Sequence, residues 1–137
     1  MPEASRPPRG LIDTSVVIDL EHIDTEQLPE ELAVSALTMA ELAAGPHATG
    51  DAGERARRQD RLQRAEAAFD PLPFDGDAAR AYGRIYTAVV ATGRKARGPR
   101  AVDLLIASTA VAVGLPLYTR NPDDLRGIET LLTIVGV

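Results

Sequence analysis

Apolar residues in this chain follow two rhythms: short continuous runs, and longer stretches in which they recur every three or four positions. The short runs at residues 10–13, 32–37, 116–119 and 132–135 predict strands. Residues 71–74 form a weaker strand signal, because Pro71 and Pro73 cannot donate to a ladder. The longer rhythm predicts helices. Across residues 54–69, Leu62, Ala65 and Phe69 share a face; after Asp75 the face is Ala78, Ala81, Tyr82, Ile85 and Val89. Residues 101–113 are apolar almost all round, which predicts a buried helix closed by Gly114. Shorter helices are expected at residues 16–21, where Thr14 or Ser15 can cap, and from Thr38 to the terminator pair Gly45 and Pro46. A polar short helix or loop at residues 24–31, a polar loop at 46–53, a basic loop at 93–100 and a helical turn at 123–126 connect them.

Strands alternating with helices predict an α/β sandwich around a parallel sheet. With 137 residues the chain is read as one domain over 9–137, preceded by a disordered leader at 1–8. In such folds ligands bind beyond the carboxyl ends of the strands, where Asp13 and residues 119–124 fall. The absence of cysteine excludes disulfides, zinc–thiolate sites and cysteine nucleophiles. No apolar run approaches the roughly 20 residues of a membrane span, and Asp13 interrupts Leu11 and Ile12 before a signal-type core can form. A soluble, cytoplasmic protein without membrane contact is therefore expected.

The net charge of −5 disguises an uneven distribution. Residues 1–53 hold two arginines against ten acids, whereas residues 54–100 hold ten arginines and Lys95 against six acids. Arginine suits bidentate phosphate contact, although a basic helix face is also ordinary solvated surface.

The acids carry the candidate chemistry. Asp13 ends a strand and is followed by Thr14 and Ser15, a pattern that serves either a helix cap or a divalent ion. Glu41 stands three residues after Thr38, so a capping box competes with a catalytic role. Asp103 shares the helical stripe of Ile106, Ala107 and Ala110, where a carboxylate has little water to face. Asp124 follows Asn121 and Pro122 at a strand end, and Asn121, Thr119 and Ser15 add neutral oxygens suited to a hard ion or its waters. Gathered carboxylates repel one another, and a divalent cation is the usual remedy. Arg94, Lys95, Arg97 and Arg100 precede Asp103 and are candidate phosphate contacts. His22 and His47 lack metal-type spacing and read as surface residues.

Four segments in order, Asp13 to Val16, Thr38 to Leu42, Asp103 to Ser108 and Thr119 to Leu125, make the chain resemble the PIN-domain ribonucleases. The forms Ala40, Glu41, Leu42 and Thr119, Arg120, Asn121 make it similar to a VapC-type toxin of a bacterial toxin–antitoxin pair. That resemblance covers residues 9–137 and implies a three-layer α/β/α fold around a short parallel sheet. It further implies a homodimer that cuts RNA, transfer or ribosomal, with one or two Mg²⁺ or Mn²⁺ ions, leaving 5′-phosphate and 3′-hydroxyl ends. Asp13, Glu41 and Asp103 would form the acidic triad, with the fourth position falling to Asn121 or Asp124. A VapB-type antitoxin would push an Arg or Lys side chain into the acidic pocket. Two rival readings differ in kind. A phosphoacceptor receiver domain needs a lysine after its last strand, and the single lysine is Lys95. A non-catalytic PIN-like module would use the same acids to dock a basic partner segment.

Overall fold

In a computed structural model, which describes residues 7–96, 98 and 100–137, four strands form one parallel sheet. Strand β1 (Arg9–Ile12) lies between β2 (Glu31–Ala33) and β3 (Leu117–Thr119), and β4 (Ile134–Gly136) pairs outside β3. The chain leaves β1 toward β2 and later returns to the other side of β1, so the order reverses between β1 and β3. That reversal opens a crevice at the carboxyl ends of these two strands.

Alternation along the strands builds a core on each face. Leu11 and Leu117 point to one side and pack with Ile85 and Val89 of α4 (Gly76–Ala91) and Leu104 and Ala107 of α5 (Arg100–Val113). Ile12 and Tyr118 point to the other. There they meet Val16 and Val17 of α1 (Thr14–Ile18), Leu42 of α2 (Ala36–Ala44) and Ala65 of α3 (Ala52–Ala68). The result is the expected α/β/α sandwich. Gly10 is required by this packing, since a Cβ there would sit 2.5 Å from Tyr118 Cε1. Among the described residues no helix is long and apolar enough to cross a membrane.

Local differences from the sequence pattern have physical causes. The second strand is shorter than residues 32–37, because Ser35 turns the chain into α2 and accepts the Leu37 N–H at 2.9 Å. Residues 71–74 contribute one isolated bridge, Ser35 with Leu72, since flanking Pro71 and Pro73 have no N–H to extend it. Asp13 itself, rather than Thr14 or Ser15, caps α1 by accepting the Val16 N–H at 3.1 Å. Residues 1–6 of the expected leader lie outside the described residues. Pro7 and Pro8 do not hang free: their carbonyls accept the N–H groups of Glu30 and Glu31 at 3.1 and 3.0 Å, continuing the β1–β2 edge backwards.

Candidate active site

Around the crevice between β1 and β3, the end of β1, α2 and α5 each carry an acid. Asp13 stands at the end of β1 and is buried. Its Oδ1 accepts both the Val16 N–H at 3.1 Å and the Ser15 hydroxyl at 2.5 Å. Ser15 Oγ in turn accepts the Arg120 N–H at 3.1 Å, which ties the segment after β3 to that after β1. With Oδ1 doubly occupied, Oδ2 is the oxygen without a hydrogen bond among the described residues.

Glu41 sits within α2 and makes no capping box, because Ser35 already fills that role. Its Oε1 lies 2.5 Å from Thr14 Oγ1, which is also 3.1 Å from Thr38 Oγ1. A hydroxyl has one proton to give. Thr14 donates it to Glu41 and accepts from Thr38, a fully buried side chain, so a relay of two threonines aims the carboxylate. Sequence reasoning named both threonines for other roles and missed the relay to Glu41. The signal was present for Thr14, which adjoins Asp13, but Thr38 read as a helix cap.

Asp103 lies in the first turn of α5, half-buried. Burial pushes its carboxyl up from 3.8 to about 6, and the negative charges of Asp13, Glu41 and Asp124 add to the rise. Arg100 opposes it. All four predicted acids thus share one electrostatic neighbourhood. Asp124 is exposed on the helical turn Pro122–Leu125, and Asn121 at the head of that turn is exposed as well. Thr119 Oγ1 fixes the turn by accepting the Asn121 N–H at 3.1 Å.

The basic loop is arranged around the same turn. Arg94 Nη1 donates to the carbonyls of Asp123 and Arg126 at 3.0 and 3.3 Å, and Arg100 Nη1 to that of Asp124 at 3.1 Å. Both cations therefore hold the Asp124 turn against the start of α5. Lys95 is exposed, and Arg97 falls outside the described residues. Both histidines are exposed, as their spacing predicted.

The donor set fits a hard divalent cation. It consists of oxygens alone, and among the described residues none of the four carboxylates is ion-paired. Among the same residues no three acids converge to ligate one ion together. A hard divalent cation that keeps several waters and takes few protein carboxylates suits that looser spacing.

The family model of the PIN domain matches residues 10–129. The chain belongs to the PIN-domain family. It is 34% identical over 129 residues to ribonuclease VapC5 of Mycobacterium tuberculosis, covering 92% of both chains. A crystal structure of VapBC-5, a toxin–antitoxin system of the same organism, superimposes with a TM-score of 0.84 at 32% identity. That match spans 96% of this chain and all of the other. The fold alone is shared with VapBC-1 of Haemophilus influenzae, at a TM-score of 0.72 and 22% identity over 93% and 97% of the two chains. Within this PIN domain Asp13 ends β1, Glu41 and Asp103 stand on α2 and α5, and Asp124 lies on the turn after β3; the curated relatives are VapC ribonucleases.

Proposed function

We propose that this PIN domain, running over residues 9–137, is the toxin of a type II toxin–antitoxin pair and hydrolyses RNA with Mg²⁺ or Mn²⁺ at the β1–β3 crevice. The observation that carries the reading is that Asp13, Glu41 and Asp124 lie near enough to Asp103 for their charges to raise its carboxyl, with no ion-paired cation on any of the four among the described residues. Asp13 Oδ2 and Asp103 are the residues that would hold the ion, with Glu41 and Asp124 binding directly or through water. A bound divalent cation would activate water for in-line attack and offset charge on the leaving 3′ oxygen. The protein's own part is positional. Ser15 and the Val16 N–H lock the Asp13 rotamer, and the threonine relay holds Glu41. Arg94 and Arg100 fix the turn that carries Asp124, and with Lys95 and Arg97 they offer positive charge to an approaching phosphate. Ser15, Thr119 and Asn121 hold the surrounding turns and supply oxygens for ordered water.

The VapBC-5 likeness supports a VapB-type antitoxin as the inhibitory partner. Exposed Tyr86 and Val90, one turn apart on α4, support a homodimer. Transfer or ribosomal RNA is the expected substrate. The test is cleavage of total cellular RNA by purified, antitoxin-free protein with Mg²⁺, with Mn²⁺, with EDTA, and with Asp13→Asn in Mg²⁺. Discrete cuts lost in EDTA and in the variant are expected. Cleavage that survives EDTA would overturn the metal mechanism, and no cleavage of any RNA would favour a module that docks a basic segment.

A further inference from the structure

Beside the carboxylates lies a second cavity, of about 260 Å³, between α1, α2 and α3. Thr14 and Glu41 form its inner wall, and Arg58 and Arg61, three residues apart on α3, form its outer one. Glu41 lines this cavity and is also one of the acids whose charge reaches Asp103. A water occupies ~30 Å³ in the liquid, so the cavity has room for a hydrated phosphate.

The two arginines are in different states. Arg58 is built in: its Nε donates to Glu54 Oε2 at 2.8 Å and its Nη1 to the Gly45 carbonyl at 3.0 Å. Those bonds leave its Nη2 edge unspent. Glu54 does not neutralise the cavity on its own account, because Arg57 also donates to it at 2.9 Å. Hydrogen bonds from Arg58 and Arg57 hold the Glu54 carboxyl below its usual range. Arg61 is the odd group. It is half-buried, yet among the described residues it has no hydrogen bond and no ion pair. Its neighbour Glu41 has one oxygen engaged by Thr14 and forms no ion pair with it. A partly desolvated guanidinium without a partner is costly unless an anion completes it.

Resting on the ribonuclease reading, we propose that Arg61, braced by Arg58, forms a subsite for an RNA phosphate one nucleotide away from the bond being cut. The scissile phosphate sits at the acids, which require a cation to receive it. The neighbouring phosphate meets the guanidinium pair across Glu41. This subsite holds the strand in register with the crevice through contacts to backbone alone, which carry no base information.

The experiment measures binding of a fluorescein-labelled, 12-nucleotide single-stranded RNA by anisotropy across a salt series, using Asp13→Asn protein to prevent cutting. Arg61→Gln in that background is expected to weaken binding about 10-fold and to reduce the salt slope by about 1. Arg61→Lys should restore part of it, and Arg84→Gln, the same charge change on the exposed face of α4, should leave both values unchanged. In the cleaving protein Arg61→Gln should raise KM more than it lowers kcat. Unchanged affinity and slope in a folded Arg61→Gln protein overturn the subsite, as does an effect confined to antitoxin binding. If the wild-type chain binds this RNA with the Arg61 dependence but never cuts it, the ribonuclease reading fails and the subsite stands. If it cuts and Arg61 is silent, the reverse holds, and an RNA that does not bind at all overturns the subsite as well.

Discussion

Asp103 is the residue on which the site's electrostatics turn. Its carboxyl is pushed up to about 6, against 3.8 in the unfolded chain, first by burial and then by Asp13, Glu41 and Asp124. Below about pH 4 the group is protonated in both states and costs nothing. Between about 4 and 6 the metal-free native protein keeps a proton that the unfolded chain has released, so stability falls as pH rises through that window. Above it the full repulsion is borne. Asp103→Asn should therefore abolish RNA cleavage yet raise the stability of metal-free protein above pH 6 by about 1 kcal/mol, discounted for partial exposure. Thermal melts from pH 4 to 8 in EDTA check this, and a variant as pH-dependent as wild type would refute it.

Among the elements, β4 and the turn after β3 decide where Asp124 stands. Gly136 pairs with Thr119, and a Cβ there would come within 2.9 Å of Pro122 Cγ. The glycine lets the Pro122–Leu125 turn lie close against the sheet edge, while Arg94 and Arg100 hold it from the other side. Gly136→Ala should displace that turn, lowering cleavage about 10-fold and stability by about 1–3 kcal/mol. Gly83, within α4, has nothing within 4 Å of its would-be Cβ. Gly83→Ala should instead stabilise the protein by about 0.5–1 kcal/mol with activity unchanged. Urea unfolding and initial cleavage rates on the two variants separate a glycine needed for approach from one that merely costs entropy.

For the whole molecule, a divalent cation held by the four acids of the proposed site would couple folding to cation binding. Saturating Mg²⁺ or Mn²⁺, at about 100 times its dissociation constant, should add about 2.7 kcal/mol of stability and raise Tm by several degrees over EDTA. Asp13→Asn should lose most of that rise. A melting temperature indifferent to both ions in the wild-type protein would contradict a resident cation. The charge asymmetry seen along the chain also acquires a geometry here. Asp13 and Glu41 from the first third and Asp103 and Asp124 from the last share one electrostatic neighbourhood, and the basic middle supplies Arg58 and Arg61 beside Glu41 and Arg94 and Arg100 beside the Asp124 turn.

Pattern alone determined the alternation of strands and helices, the buried character of α5 and the order of the four acids. These follow from local rhythm and residue chemistry, which survive without knowledge of the fold. Boundaries failed where short-range signals compete, as at Ser35, whose cap displaced the one expected at Thr38. Only the tertiary structure decided which oxygen of Asp13 and of Glu41 is engaged. Thr14 reaches Glu41 across 27 positions of sequence, and the Arg120 N–H reaches Ser15 across 105. It also decided that Arg58 and Arg61, rather than their equally charged neighbours on α3, line the cavity that holds Thr14 and Glu41. Such pairings depend on how α1, α2 and α3 pack on one face of the sheet, and a period of three or four residues carries no record of the partner that a face will meet.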